Sequence, residues 1–134
     1  MIKVVATLLL LTMAPIGAER RPPETGKWRV FAGHEEQALR DYEWRRTSSD
    51  VIENGRKLRD LARQPQFGSR HEPCGQAAST LSHMVTGQYY SARRLAVSAD
   101  WHQMAPSYAI QRRACLDDLG IDERAHPLPR WFGR

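Results

Sequence analysis

The stretch PCGQAASTLSHMVTGQYYSARRL, residues 73–95, decides the fold. Cys74, Ala78, Leu81, Val85, Tyr89, Ala92 and Leu95 recur at steps of three and four, the spacing that lines one face of an α-helix. Pro73 suits the first turn, where its missing N–H is no loss. Gly87 weakens the interior, since glycine costs about 1 kcal/mol relative to alanine there. The stripe is small at its start, with Ala77 and Ala78, so a second helix has room to approach closely near Cys74.

Downstream, a helix is expected over 106–119, opened by Pro106 and turning Tyr108, Cys115, Leu116 and Leu119 inward. Gly120 then suits the left-handed position that ends a helix. The tail, 122–134, reads as irregular: it holds His126-Pro127 and Leu128-Pro129 and shows no periodicity. Upstream, Ala38, Leu39 and Tyr42 form one stripe and Val51, Ile52, Leu58, Leu61 and Ala62 another. They predict helices over 34–47 and 50–63, or one bent rod, with Asp50 and Glu53 at the second N-terminus facing the positive end of its dipole. Residues 19–33, with Arg21-Pro22-Pro23, read as an irregular lead-in. The fold expected is therefore all-α, a small bundle of three or four helices over 34–121.

The first 18 residues, MIKVVATLLLLTMAPIGA, have a different character. Lys3 precedes an apolar run that Pro15 breaks, and Ala18 offers a small residue for cleavage, the layout of a secretory signal peptide. From Val4 to Ala18 the run falls short of the roughly 20 residues that span a bilayer. No second apolar run follows, so no transmembrane span is expected in the mature chain, and periplasmic or secreted localisation is. Two cysteines in an exported chain most simply form one disulfide, Cys74–Cys115. In the chain-entropy model, closing that loop stabilises the fold by roughly 4 kcal/mol. The bridge also sets a length requirement. Residues 74–97 rise about 35 Å as helix, whereas 106–115 return only about 14 Å. An open crossing over 98–105, carrying Trp101 and His102, is expected to supply the remaining 20 Å or so.

The 20 basic and 15 acidic residues give +5, or +4 once Lys3 leaves with the leader. Acids interleave with bases, as in Arg40-Asp41, Arg59-Asp60 and Asp122-Glu123-Arg124, which describes a solvated mixed surface rather than a nucleic-acid face. His71, Cys74, His83 and Cys115 are metal-ligand types, but no His-Glu-x-x-His spacing occurs, and neither metal nor cofactor is expected. Glu35-Glu36 and Asp117-Asp118 are adjacent, so their carboxylates diverge on a helix instead of facing one gap. No Gly-x-Ser-x-Gly and no glycine-rich phosphate loop is present. Cys74 at a helix N-terminus, with His71, His83 or His102 as base, is the one candidate nucleophile, and the bridge to Cys115 competes with that use.

Aromatic and basic residues supply the remaining signal. Tyr90 and Arg94 lie one turn apart on a face distinct from the apolar stripe, and Trp131-Phe132 sits between Arg130 and Arg134. Such side chains serve as lids over a core or as protein contacts, where Tyr, Trp and Arg concentrate binding energy. With no convergent catalytic set, the reading is a non-enzymatic exported protein that binds another protein of the cell envelope or exterior. Tyr90, Arg94, Trp101 and Trp131 are its expected contacts. In size, export, helicity and cysteine number the chain is similar to small periplasmic acid-stress chaperones and immunity proteins. The alternatives are a cysteine-dependent hydrolase using Cys74 and a binder of anionic lipid or polysaccharide.

Overall fold

Residues 73–92 form one helix in the computed structural model, and the rest of the bundle is arranged around it. The structure describes residues 25–64, 67, 72–92 and 101–133. The expected leader (1–18), residues 19–24 of the lead-in and Arg94 lie outside them. Four helices follow in order: α1 (Thr25–Glu43), α2 (Ser49–Ala62), α3 (Pro73–Ala92) and α4 (Trp101–Leu119), then a 3-10 turn over Glu123–Ala125. There is no strand among the described residues, and no helix among them is long and apolar enough to cross a membrane.

The predicted stripes supply the core. Cys74, Ala78, Leu81, Val85 and Tyr89 of α3 are buried, as are Val51, Leu58 and Leu61 of α2 and Tyr108, Cys115, Leu116 and Leu119 of α4. At Gly55 the second and third helices come close. Ser82 Oγ donates to the Gly55 carbonyl at 2.6 Å, and a Cβ at position 55 would meet Thr86 Oγ1 at 3.1 Å. Helix α4 runs antiparallel to α3, which places Cys115 beside Cys74 with their Sγ atoms 2.00 Å apart and their Cα atoms 4.5 Å apart. The small residues Ala77 and Ala78, both fully buried, leave room for that approach.

Two expectations are corrected. The lead-in does not stay irregular to Gly33, because α1 begins at Thr25 rather than at His34. Its buried stripe is Trp28, Phe31, Glu35 and Ala38, and a charged residue in the middle of that face hides its helical period from a hydrophobic reading. The crossing expected over 98–105 is also corrected, because Trp101 and His102 already belong to α4 and Pro106 lies inside that helix instead of opening it; residues 93–100 lie outside the described residues. Residues 101–115 as helix rise about 21 Å against about 27 Å for 74–92, so the two helical arms are closer in length than expected.

Helices α1 and α2 are separate. Helix α1 ends in a Schellman turn: Arg46 N–H donates to the Asp41 carbonyl at 3.0 Å and Arg45 N–H to the Tyr42 carbonyl at 3.2 Å. Arg45 takes the left-handed conformation (φ 49°) that usually falls to glycine. Helix α2 starts at Ser49 with Asp50 in its first turn. At the end of α4 the same turn is made by Gly120 (φ 73°), as its position predicted, with Ile121 N–H donating to the Leu116 carbonyl at 2.9 Å. The tail is irregular apart from its 3-10 turn, yet it is packed: His126, Trp131 and Phe132 rest on aromatic rings of α1 and α4.

Candidate functional site

The best-connected polar group among the described residues is a buried triad between α1 and α4. Glu35, 5% exposed, points inward, whereas its neighbour Glu36 pairs with Arg40 at the surface at 2.8 Å, so the two carboxylates diverge as their adjacency requires. Arg112, 3% exposed, grips Glu35 with both ends of its fork: Nε to Oε2 at 2.6 Å and Nη2 to Oε1 at 3.0 Å. The Tyr108 hydroxyl donates to the same Oε2. The guanidinium carbon lies 5.1 Å from the centre of the Trp28 ring, and the His126 ring stands edge-on to Trp28 at 5.3 Å. Burial, reinforced by the Glu35 charge and hydrogen bond, pushes the Tyr108 phenol well above its usual range. For Arg112 burial pulls downward, but the Glu35 hydrogen bond and charge outweigh it and the net shift is upward. Both carboxylate oxygens of Glu35 are engaged by Arg112 and Tyr108, inside the bundle. The triad fastens α1 to α4.

Beside it runs an aromatic stack. Tyr42 lies between Trp101 (4.2 Å, 16°) and Trp131 (5.3 Å, 19°), and its hydroxyl is 3.2 Å from His102 Nε2. Two of the four expected contact residues, Trp101 and Trp131, thus meet through a third aromatic ring that the sequence reading had assigned to a helix stripe. Trp101 is 2% exposed and belongs to the core, whereas Trp131 is half-buried. Tyr90 is also half-buried and stands edge-on to Tyr89 at 5.3 Å. Cys74 and Cys115 are both buried in their bridge, and a bridged Cys74 carries no thiol. Among the described residues no three His, Cys, Asp or Glu side chains come together as a metal site would need.

The outer surface carries a feature that sequence reading missed. Trp44, at the end of α1, is 66% exposed, with the Arg46 guanidinium 5.5 Å from the centre of its ring. The Schellman turn fixes the backbone between them, so this Trp–Arg pair stands on a defined corner. Arg46 also lines a cleft of about 480 Å³ between α1 and α2, whose walls include the exposed Val30, His34, Asp50, Glu53 and Lys57. His34 and Asn54 are hydrogen-bonded across the α1–α2 interface at 3.0 Å, which stiffens the cleft's floor. The signal for this corner was Trp44-Arg45-Arg46 in the sequence, three residues that fit no apolar stripe.

Comparison with protein-family models, with curated proteins and with solved structures finds no match for this chain.

Proposed function

We propose that this chain is an exported, non-enzymatic protein that acts by binding another protein of the cell envelope or exterior, in the manner of an inhibitor, an immunity protein or a chaperone. The observation that carries this reading is Trp44, a large ring left exposed at a rigid corner with an arginine stacked on it. Trp and Arg are the side chains on which binding energy concentrates at protein interfaces. Holding both in place before contact lowers the entropy lost on binding. The mixed charges of the α1–α2 cleft, which Arg46 lines, give the corner a polar rim. The leader-like first 18 residues and the bridged cysteines support an oxidising destination. The cysteine-hydrolase alternative needs a Cys74 thiol, which the bridge to Cys115 consumes.

The test places a photo-crosslinking residue at exposed position 47, beside the intact Trp44–Arg46 pair, and, as control, at exposed Ile110 on α4. One discrete protein adduct from position 47, lost on competition with the unlabelled chain and not formed from 110, is the expected result. With that partner purified, Trp44→Ala weakens binding by about 30-fold, as a hot spot of about 2 kcal/mol requires, and leaves the melting temperature unchanged. Equal, diffuse labelling from both positions overturns the reading.

A further inference from the structure

Among the ion pairs of the described residues, that of Glu35 and Arg112 has both side chains buried, whereas each of the others has at least one exposed member. An exposed pair loses its acid to protonation at little cost, because water solvates the cation left behind. Arg112 is differently placed. Protonation of Glu35 leaves its guanidinium inside the bundle without a counter-charge, and it regains solvation only if the seam between α1 and α4 opens. A cleft of about 280 Å³, lined by Arg112 with Arg113, Glu123, Pro127 and Leu128, brings solvent to the edge of that seam.

The groups around the pair act in the same direction. On α4 they are Tyr108, which donates to Glu35, and Arg113, which pairs with Glu123. In the tail they are Glu123, whose charge favours the Arg112 cation, and His126, edge-on to Trp28. On α1 itself, His34 is hydrogen-bonded to Asn54 of α2. Helix α3 is without Asp, Glu, Lys or Arg, and its His83 lines the α2–α3 groove. As pH falls, Glu35 and Glu123 can only lose negative charge and the histidines can only gain positive charge, so nothing replaces the counter-charge of Arg112.

What joins the other helices does not titrate. Helices α3 and α4 are bridged by the disulfide, and α2 and α3 by apolar packing and the Ser82–Gly55 hydrogen bond. Helix α1 packs against α4 far less extensively than α3 does, so the polar triad is a large share of what holds it there. We infer that Glu35–Arg112 is an acid-sensitive latch: protonation of Glu35 releases α1 from α4, while α2, α3 and the bridged α3–α4 hairpin stay folded. The released face carries Trp28 and Phe31 and the face it leaves carries Tyr108, all buried, so acid uncovers an aromatic surface that neutral pH hides. The latch needs no partner and stands apart from the binder reading.

The test follows backbone amide protection and side-chain carboxyl resonances of the disulfide-intact chain by NMR, from about pH 7 to about pH 2. Amides of residues 31–42 on α1 should lose at least about tenfold more protection than those of 77–89 on α3, in step with titration of the Glu35 carboxyl. In Glu35→Leu/Tyr108→Phe/Arg112→Met no buried cation is left, and α1 should keep its protection over the same range. Glu36→Gln removes the exposed acid next door and should open as the wild type does. One common loss of protection in all four helices overturns the inference, because acid then unfolds the chain as a whole. So does an opening that follows the carboxyl of Asp41 or Glu123 instead of Glu35, or one that persists in the triple variant. If the triple variant does not fold at neutral pH, the wild-type carboxyl titration decides alone.

Discussion

Glu35 and Asp41 are buried acids on the same helix, less than two turns apart, and they are held in opposite ways. Glu35 is met from across the bundle by Arg112 and Tyr108, and both of its oxygens are satisfied. Asp41, 4% exposed, is met mainly from its own side: Gln37 donates to Oδ1 at 2.8 Å, Arg46 stands 3.9 Å away, and Oδ2 has no partner. A buried carboxylate ties a fold together only when its partners come from another element. One that is served by its own helix is carried there by the backbone.

The largest expected effect comes from breaking the first arrangement. Glu35→Gln leaves Arg112 buried without its counter-charge and should cost about 3–5 kcal/mol, read from denaturant unfolding. A cost under about 1 kcal/mol would mean that α1 and α4 are held by their apolar contacts alone. Replacing the whole triad, Glu35→Leu with Tyr108→Phe and Arg112→Met, should recover most of that loss, because a buried ion pair and a well-packed apolar set are often near equal.

Tyr108→Phe removes one donor and should cost about 1–2 kcal/mol at neutral pH. Its pH dependence sharpens the point. A phenol whose folded pKa is raised binds its proton more tightly in the native state, so its contribution is complete below about pH 10 and is lost as pH rises past that value. The urea midpoint of the wild type should therefore fall between pH 9 and 11 more steeply than that of Tyr108→Phe. Parallel curves would remove Tyr108 from the account.

The second acid should be nearly silent. Asp41→Asn removes a charge whose ionic partner among the described residues is a half-exposed arginine 3.9 Å away, so the change should stay within about 1 kcal/mol. A loss comparable with that of Glu35→Gln would break the comparison. The smallest effect belongs to the backbone that carries Asp41. Arg45→Gly relieves a left-handed residue, a gain of about 1–2 kcal/mol offset by about 0.5–1 kcal/mol of glycine chain entropy. A net rise in stability of about 0.5–1 kcal/mol is expected, and a fall would show that the arginine side chain is itself needed there.

The same contrast explains what was legible in the sequence. Helices α2, α3 and α4 could be read because their inward positions are apolar or small, and the Gly120 cap could be read because glycine marks a left-handed residue. The first half of α1 could not. Glu35 counts as polar in any periodicity, and its partner Arg112 lies 77 residues away, so nothing local tells a buried acid from an exposed one. The Arg45 turn was invisible for a related reason, since arginine does not announce a positive φ. Of the expected contacts, Trp101 fell into the core because α4 starts earlier than Pro106 suggests, which moves the ring from a crossing to the bundle's inner face. The exposed Trp44 was passed over because a lone ring between two stripes has no periodicity to place it.

The tail has one further consequence, and it concerns time rather than contact. His126, Trp131 and Phe132 are synthesised after all four helices, yet they cover Trp28, Tyr42, Trp101 and Tyr108. An emerging chain that has completed α4 therefore still has uncovered rings on α1 and α4. The rings of α1 and α4 gain their last packing partners only with residues 126–132, so truncation before His126 should lower stability without removing any helix.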